Sequence, residues 1–291
     1  MKRAILLLFI FTVFAGIAFS QEAVLLWPEG APGAKGSEVA DKPTITAFIP
    51  PIKSAGIKAV VVFPGGGYGH LAFEKEGTKV ARWLNSFGVA AFVVSYRHKG
   101  KGYQYPAPLD DAQRAVRLVR FNAEKYHIDP ESIGVLGFSA GGHLASTVAT
   151  LHGDKYGISG DADDPVNKVS SRPDFAVLCY PVISMNSWYT HKGSKRKLLG
   201  EDPDEKLVKL MSTELQVSEE TPPIFLIHAN DDKSVPPENS VAFYSALRKA
   251  KIDGVMHIFK SGGHGFGLGR DGSPAKRWPD LCKKWIQSLQ R

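Results

Sequence analysis

Short apolar runs alternate with longer amphipathic stretches from residue 57 to the end of the chain. The runs are rich in Val, Ile and Phe and carry few polar residues, a pattern typical of strands covered on both faces. They predict strands at 57–63, 89–97, 132–138, 175–181, 223–229 and 254–260. The amphipathic stretches predict helices at 74–88, 109–126, 141–151, 236–250 and 273–289. This βαβα order predicts a mostly parallel sheet with helices on both faces.

Two segments stand outside this alternation. Residues 21–56 are rich in Gly and Pro and predict an antiparallel sheet edge with loops. Residues 182–222 form a long polar insertion between two predicted strands, with helical character near "DEKLVKLMS". Insertions of this length at the carboxyl edge of a sheet usually shape a substrate site.

Residues 1–20 have the features of a secretory signal peptide. Lys2 and Arg3 precede the apolar run "AILLLFIFTVFAGIAF", and Ala18-Phe19-Ser20 offers a cleavage site before Gln21. An uncleaved anchor is the alternative, but the run is short for a bilayer span. We therefore expect a secreted or periplasmic protein with no stable membrane insertion after cleavage. Its mature residues 21–291 are long enough for a single α/β domain.

Charge gives no sign of a nucleic-acid partner. The formal net charge is +7, and it becomes +5 when Lys2 and Arg3 leave with the signal peptide. The basic residues are scattered, and the densest run, "KGSKRK" at 192–197, is too short to predict nucleic-acid binding. This run predicts a solvated loop, and contact with a polyanionic substrate stays open.

The chain has two cysteines, and both lie in apolar segments. Cys179 belongs to the predicted strand "FAVLCYP" and Cys282 to the last predicted helix, so both look like buried small residues. Export permits disulfides, and the sequence alone leaves open whether these two cysteines pair.

A glycine-rich stretch, "FPGGGYGH", follows the first buried strand. Such a turn either binds a phosphate or donates backbone N–H groups to an oxyanion. The chain contains no G-x-x-x-x-G-K-[ST] motif and no clean G-x-G-x-x-G followed by an acidic ribose partner, so phosphate binding is the weaker alternative. No H-E-x-x-H or paired Cys/His spacing predicts a metal site.

The motif "GFSAG" at 137–141 lies between a predicted strand and a predicted helix. This is the setting of a nucleophile elbow, in which Gly137 and Gly141 permit the tight turn that exposes Ser139. The alternative is an ordinary glycine-rich turn. A serine hydroxyl needs a base, and His264 in "KSGGHGFG" lies in a loop just after the last strand. The acid that would orient this histidine is Asp231 or Asp232, after the strand 223–229.

The chain order of serine, acid and histidine is that of α/β-hydrolases. The sequence resembles this superfamily over nearly the whole mature chain, and more narrowly the secreted esterases that include acetyl xylan and feruloyl esterases. The resemblance rests on "FPGGGY", "YPAPLDDA", "GFSAGGHLA", "GSKRKLLG", "PPIFLIHANDDKSVPPENS" and "GGHGFG". It implies an α/β-hydrolase fold with the substrate-shaping insertion at 182–222 and a catalytic triad of Ser139, Asp232 and His264. Asp232 is favoured over Asp231 because it begins the family's Asp-x-x-Val-Pro pattern.

The same resemblance assigns the glycine stretch to an oxyanion hole. The implied donors are the backbone N–H groups of Gly66, Gly67 and Ala140, with Gly65 as an alternative to Gly67. Pro64 replaces the histidine that is usual before the glycines, so another side chain, Tyr68 or His70, is expected to hold the loop.

The resemblance also implies an esterase that uses no cofactor. The expected substrate is a small ester or an acetylated saccharide, with Tyr68, Trp188 and Tyr189 as candidates to stack on sugar rings or as packing residues. Alternatives are a feruloyl esterase, a short-chain lipase or esterase, a serine peptidase, and a binding protein without activity.

Overall fold

The computed structural model describes residues 23–51, 55–153, 160 and 163–290, so the predicted signal peptide lies outside the described residues. The described strands are β1 (Ala23–Leu25), β2 (Thr44–Phe48), β3 (Ile57–Phe63), β4 (Ala90–Ser95), β5 (Ile128–Phe138), β6 (Phe175–Cys179), β7 (Ile224–Ala229) and β8 (Gly254–Phe259). They form one sheet in the order β1-β2-β4-β3-β5-β6-β7-β8. The pairs β1–β2 and β2–β4 are antiparallel, and the other pairs are parallel. The predicted sheet and its antiparallel edge are confirmed.

Helices cover both faces of this sheet. They are α1 (Lys79–Asn85), α2 (Ala107–Phe121), α3 (Ala140–Thr150), α4 (Lys192–Leu199), α5 (Glu205–Leu210), α6 (Glu238–Ala250) and α7 (Trp278–Ser288). Side chains of β3 alternate between two cores: Val61 packs in the core that includes α2, α3 and α6 residues, and Val62 in the core with α1 and α7 residues. Burying each such side chain contributes about 1.5–3 kcal/mol.

The structure corrects two sequence predictions of local structure. The predicted helix at 74–88 begins instead as a π-helical turn, Phe73–Thr78, and only then continues as α1. The predicted solvated loop at 192–197 is wrong, because these residues form most of α4. The His191 side chain caps this helix by accepting the Ser194 N–H, and the helix residue Leu198 is buried against the core. This cap and the burial of Leu198 outweigh the weak amphipathic pattern of the segment.

Cys179 and Cys282 are both buried and unpaired. They lie in the same core, on β6 and α7, where each behaves as a small apolar residue. Burial raises the pKa of both thiols well above the ordinary value. The sequence expectation of two buried small residues is therefore confirmed, and the open question of a disulfide is answered in the negative for this structure.

No helix of the described residues is long and apolar enough to cross a membrane.

Candidate active site

The loops that carry the candidate residues follow four parallel strands at one edge of the sheet. The glycine stretch follows β3, Ser139 follows β5, Asp232 lies three residues after β7, and His264 lies five residues after β8. The carboxyl ends of parallel strands meet at the same edge, which is where open α/β sheets place their ligands. The topology therefore brings together residues that are far apart in the sequence.

Ser139 occupies a strained turn between β5 and α3. Its backbone has φ 53° and ψ −118°, a conformation that a residue other than glycine rarely adopts and that stores about 1–3 kcal/mol. A Cβ on Gly137 would lie 2.0 Å from the Gly141 carbonyl oxygen, and one on Gly141 would lie 2.1 Å from that of Phe63. The turn closes this tightly only with glycine at both positions, as the motif predicts.

His264 joins Ser139 to Asp232. The His264 Nε2 lies 2.9 Å from the Ser139 Oγ, and its Nδ1 lies 2.7 Å from the Asp232 Oδ2. A carboxylate only accepts hydrogen bonds, so Nδ1 carries the proton and Nε2 accepts from the serine hydroxyl. The Asp232 side chain is fully buried, whereas that of His264 is 25% exposed.

Asp232 is held as an ionised carboxylate. Its Oδ1 accepts the backbone N–H groups of Ser234 and Val235, each at 2.9 Å. The His228 Nε2 lies 3.4 Å from its Oδ2. Burial by itself raises the pKa of Asp232, but the hydrogen bonds from His228, His264 and Val235 outweigh it and hold the pKa well below its ordinary value.

The neighbouring Asp231 does not contact His264. Its Oδ1 instead accepts the N–H groups of Gly262 and Gly263, at 2.9 and 2.8 Å, on the loop that carries the histidine. The two aspartates therefore differ in position: Asp232 faces the imidazole, and Asp231 holds the loop beside it.

The glycine loop lies directly against the serine. A Cβ on Gly65 would lie 3.1 Å from the Ser139 Cβ. The Gly65 N–H donates to the Glu76 Oε2 at 2.9 Å, so it is not available to a ligand. The N–H groups of Gly66 and Gly67 donate to no acceptor among the described residues, and Ala140 begins α3, where the N–H has no intrahelical acceptor. This arrangement favours Gly66, Gly67 and Ala140 over Gly65 as donors.

Three side chains hold the loop in place of the expected histidine. The Tyr96 hydroxyl donates to the Pro64 carbonyl at 2.7 Å, and Glu76 accepts from Gly65. The Tyr68 hydroxyl donates to the His143 Nδ1 at 2.8 Å, because Nε2 of that histidine donates to the Met211 carbonyl. Of the two side chains expected to hold the loop, Tyr68 is the one that does so, through its hydrogen bond to His143.

Neither Glu76 nor Tyr180 could be recognised as a site residue from the sequence. Glu76 lies in a charged segment that is typical of a helix surface, but it is 4% exposed. Tyr180 follows β6 with φ 38° and is fully buried, and its ring packs edge-on against the His264 ring, with centroids 5.2 Å apart. Both are recognisable only after the strands have been brought together.

The insertion contributes one side of the site. Ser194 on α4 faces the glycine loop, with its Oγ 3.9 Å from the position of a Cβ on Gly67, and it is bonded to the His191 Nδ1. Trp188, on the preceding loop, is 79% exposed and packs edge-on against Tyr189. Tyr68 is 1% exposed, so of the two alternatives left open for it, stacking on a sugar or packing, the structure favours packing. The described residues contain no group of three His, Cys, Asp or Glu side chains that could hold a metal ion.

The fold and these loops define an α/β-hydrolase. Residues 46–247 match the model of the family described as BD-FAE. The chain belongs to this family.

Solved structures agree with this assignment. An acetyl ester-xyloside bifunctional hydrolase from Caldicellulosiruptor lactoaceticus is 47% identical, with a TM-score of 0.85 over 94% of this chain and 98% of that one. The α/β-hydrolase MGS-M1 from a Medee basin deep-sea metagenome library is 28% identical, with a TM-score of 0.67 over 91% and 96% of the two chains. The predicted fold class is confirmed.

The name of one curated relative also refers to an esterase that acts on acetylated xylan. An acetylxylan esterase of Xylanibacter ruminicola is 38% identical over 234 residues, which are 78% of this chain and 44% of that protein. The chain therefore spans less than half the length of this relative. The relatives that the chain resembles are named as ester hydrolases, which is the class that the sequence predicts.

Proposed function

We propose that this protein is a secreted serine esterase that removes acetyl groups from plant polysaccharides or their oligosaccharides. The observation that carries the proposal is the continuous chain of hydrogen bonds from Asp232 through His264 to Ser139, with distances of 2.7 and 2.9 Å. Such an arrangement activates a hydroxyl at neutral pH without a cofactor.

The acylation step follows from this geometry. The Ser139 Oγ attacks the ester carbonyl carbon while the His264 Nε2 removes the hydroxyl proton. Asp232 keeps Nδ1 protonated and stabilises the imidazolium that forms. The negative charge that develops on the carbonyl oxygen is stabilised by the N–H groups of Gly66, Gly67 and Ala140, each contributing about 3 kcal/mol.

Collapse of the tetrahedral intermediate completes the first half of the reaction. The bond to the sugar oxygen breaks, and His264 returns its proton to that oxygen, which releases the alcohol. A water molecule then attacks the acetyl-enzyme with His264 as base again. Acetate leaves and the Ser139 hydroxyl is restored.

Two observations support an acetylated saccharide as the substrate. Trp188 is 79% exposed on the insertion that forms one side of the site, where its ring is free to stack on a sugar. The names of the relatives refer to acetylxylan and to an acetyl ester-xyloside activity. Export to the location of plant polysaccharide rests on the sequence of residues 1–20.

The test compares three substrates with the purified protein. Acetate release is measured from acetylated xylan, and hydrolysis is measured for p-nitrophenyl acetate and p-nitrophenyl butyrate, with Ser139→Ala as the control. We expect a preference for acetyl over butyryl esters, acetate release from xylan, and no activity in the variant. A preference for the longer acyl chain, or for methyl ferulate added as a fourth substrate, would exclude the acetyl assignment and favour a short-chain lipase or a feruloyl esterase.

A further inference from the structure

One buried carboxylate connects the two loops that face each other across Ser139. The Glu76 Oε2 accepts the Gly65 N–H at 2.9 Å, and its Oε1 accepts the Tyr180 hydroxyl at 2.8 Å. These contacts join the glycine loop after β3 to a tyrosine that follows β6. Neither contact is between neighbours in the sequence, since 11 and 104 residues separate the partners.

Tyr180 continues the connection to the histidine loop. Its hydroxyl oxygen accepts the Gly267 N–H at 2.9 Å, and its ring packs against the ring of His264. Because the hydroxyl oxygen accepts from Gly267, its own proton is directed to Glu76. All the donors are satisfied when Glu76 is an ionised acceptor.

The position of Glu76 is unfavourable for an ordinary structural glutamate. It is 4% exposed, and burying a carboxylate disfavours its charged form. Its backbone belongs to the π-helical turn Phe73–Thr78, a rare conformation that is frequent at functional sites. The turn aims the carboxylate inward, whereas Glu74 in the same turn is exposed.

The bond to Gly65 fixes the first peptide of the glycine loop. With that N–H turned toward Glu76, the loop continues through positive φ values of 133° at Gly66 and 61° at Gly67. Their N–H groups remain without an acceptor among the described residues. An oxyanion hole needs this orientation before the substrate arrives, because donors that must reorganise during the reaction stabilise the transition state less.

We propose that Glu76 is a positioning residue that ties the glycine loop to the loop carrying His264. It does not touch the ester. Its two hydrogen bonds hold the oxyanion donors and the imidazole at a fixed separation across the serine. This inference rests on the proposed esterase function and adds a residue to the site that serves it.

The test is the variant Glu76→Gln, which keeps the size of the side chain but replaces one acceptor by a donor. We expect kcat for p-nitrophenyl acetate to fall about 10- to 100-fold while KM changes less than about threefold, because the effect is on the transition state. The inhibition constant of a phenylboronic acid should rise by a similar factor, since its tetrahedral serine adduct places an oxygen in the oxyanion hole.

Two further variants separate positioning from folding. Tyr180→Phe keeps the ring on His264 and removes one donor to Glu76, so its kcat should lie between those of wild type and Glu76→Gln. Glu74→Gln removes an exposed carboxylate from the same turn and should leave all constants unchanged. Circular dichroism and the Tm establish that each variant is folded.

The outcomes distinguish this inference from the proposed function. A folded Glu76→Gln protein with wild-type kcat and wild-type boronate affinity would overturn the positioning role while leaving the esterase assignment intact. A loss confined to KM, or to the Tm, would also overturn it. If the wild type hydrolyses no ester and binds no boronate, the proposed function fails, and the positioning role fails with it.

Discussion

The His264 Nε2 lies 2.9 Å from the Ser139 Oγ, although 125 residues separate the two in the chain. They meet because β5 and β8 are parallel strands of one sheet, with β6 and β7 between them, and both residues follow the carboxyl ends of their strands. The distance suits proton transfer, and the tautomer set by Asp232 directs the lone pair of Nε2 to the serine.

Replacing Asp232 should impair catalysis far more than replacing its neighbour. Asp232→Asn removes the charge that fixes the tautomer of His264, and kcat should fall about 10⁴-fold. Asp231→Asn keeps an oxygen that can accept the N–H groups of Gly262 and Gly263, so its kcat should stay within about threefold of wild type. Steady-state kinetics with p-nitrophenyl acetate measure both. Equal losses in the two variants would contradict the assignment of Asp232 to the triad.

Asp232 should also make the free energy of unfolding depend on pH in the acidic range. Its pKa is lowered in the folded state, so its contribution is fully present above the unfolded value of about 3.9 and is lost as the pH falls toward the folded pKa. The wild type should therefore lose stability below pH ~4, and Asp232→Asn should lose less.

Urea unfolding at several pH values between about 7 and 2.5 measures this difference. Glu74→Gln, which removes an exposed charge, serves as the control. The difference in the free energy of unfolding between wild type and Asp232→Asn should decrease as the pH falls. A difference that stays constant would show that the folded state does not stabilise the ionised form of Asp232.

Replacing Trp188 should raise KM for saccharide substrates and leave the hydrolysis of small esters unchanged. Trp188→Ala removes a stacking surface worth about 1–3 kcal/mol to a bound ring, so KM for acetylated xylo-oligosaccharides should rise about 5- to 100-fold. Hydrolysis of p-nitrophenyl acetate should be unchanged. Leu215→Ala, another exposed apolar residue of the insertion, is the matched control. An equal effect of both variants, or an effect of Trp188→Ala on the small ester, would argue against stacking.

The contact between Tyr68 and His143 should stabilise the fold. Tyr68→Phe leaves the Nδ1 of a fully buried histidine without its donor, so the free energy of unfolding should fall by about 1–3 kcal/mol. Burial lowers the pKa of His143 to about 4, so the imidazole stays neutral at pH 7 and can accept this bond. Urea unfolding at pH 7 measures the change, and an unchanged stability would show that the bond contributes nothing net.

The parallel strands could be predicted from the sequence, and Ser139 and His264 could be singled out as candidates, because their signals are local. The run "IKAVVVF" marks β3 without reference to any other segment, and the structure gives the same bounds, Ile57–Phe63. Ser139 and His264 have glycines beside them that permit sharp turns, and a glycine pattern can be read in one dimension.

The remainder depends on contacts that a linear pattern does not contain. Glu76 and Tyr180 meet across 104 residues, and each looks ordinary in its own segment. The helix α4 has four basic residues and few apolar ones, and it forms because His191 caps it and Leu198 is buried. Which N–H of the glycine loop is occupied likewise depends on Glu76, outside the motif.

Covalent labelling tests whether Ser139 is the nucleophile of the proposed esterase. The folded wild type is treated with a fluorophosphonate, digested, and the modified residue is identified by mass spectrometry. We expect a single adduct on Ser139 that is absent in Ser139→Ala and formed much more slowly in His264→Ala, because the imidazole no longer removes the hydroxyl proton. A folded wild-type protein that stays unlabelled, or is labelled at another residue, would contradict this role of Ser139.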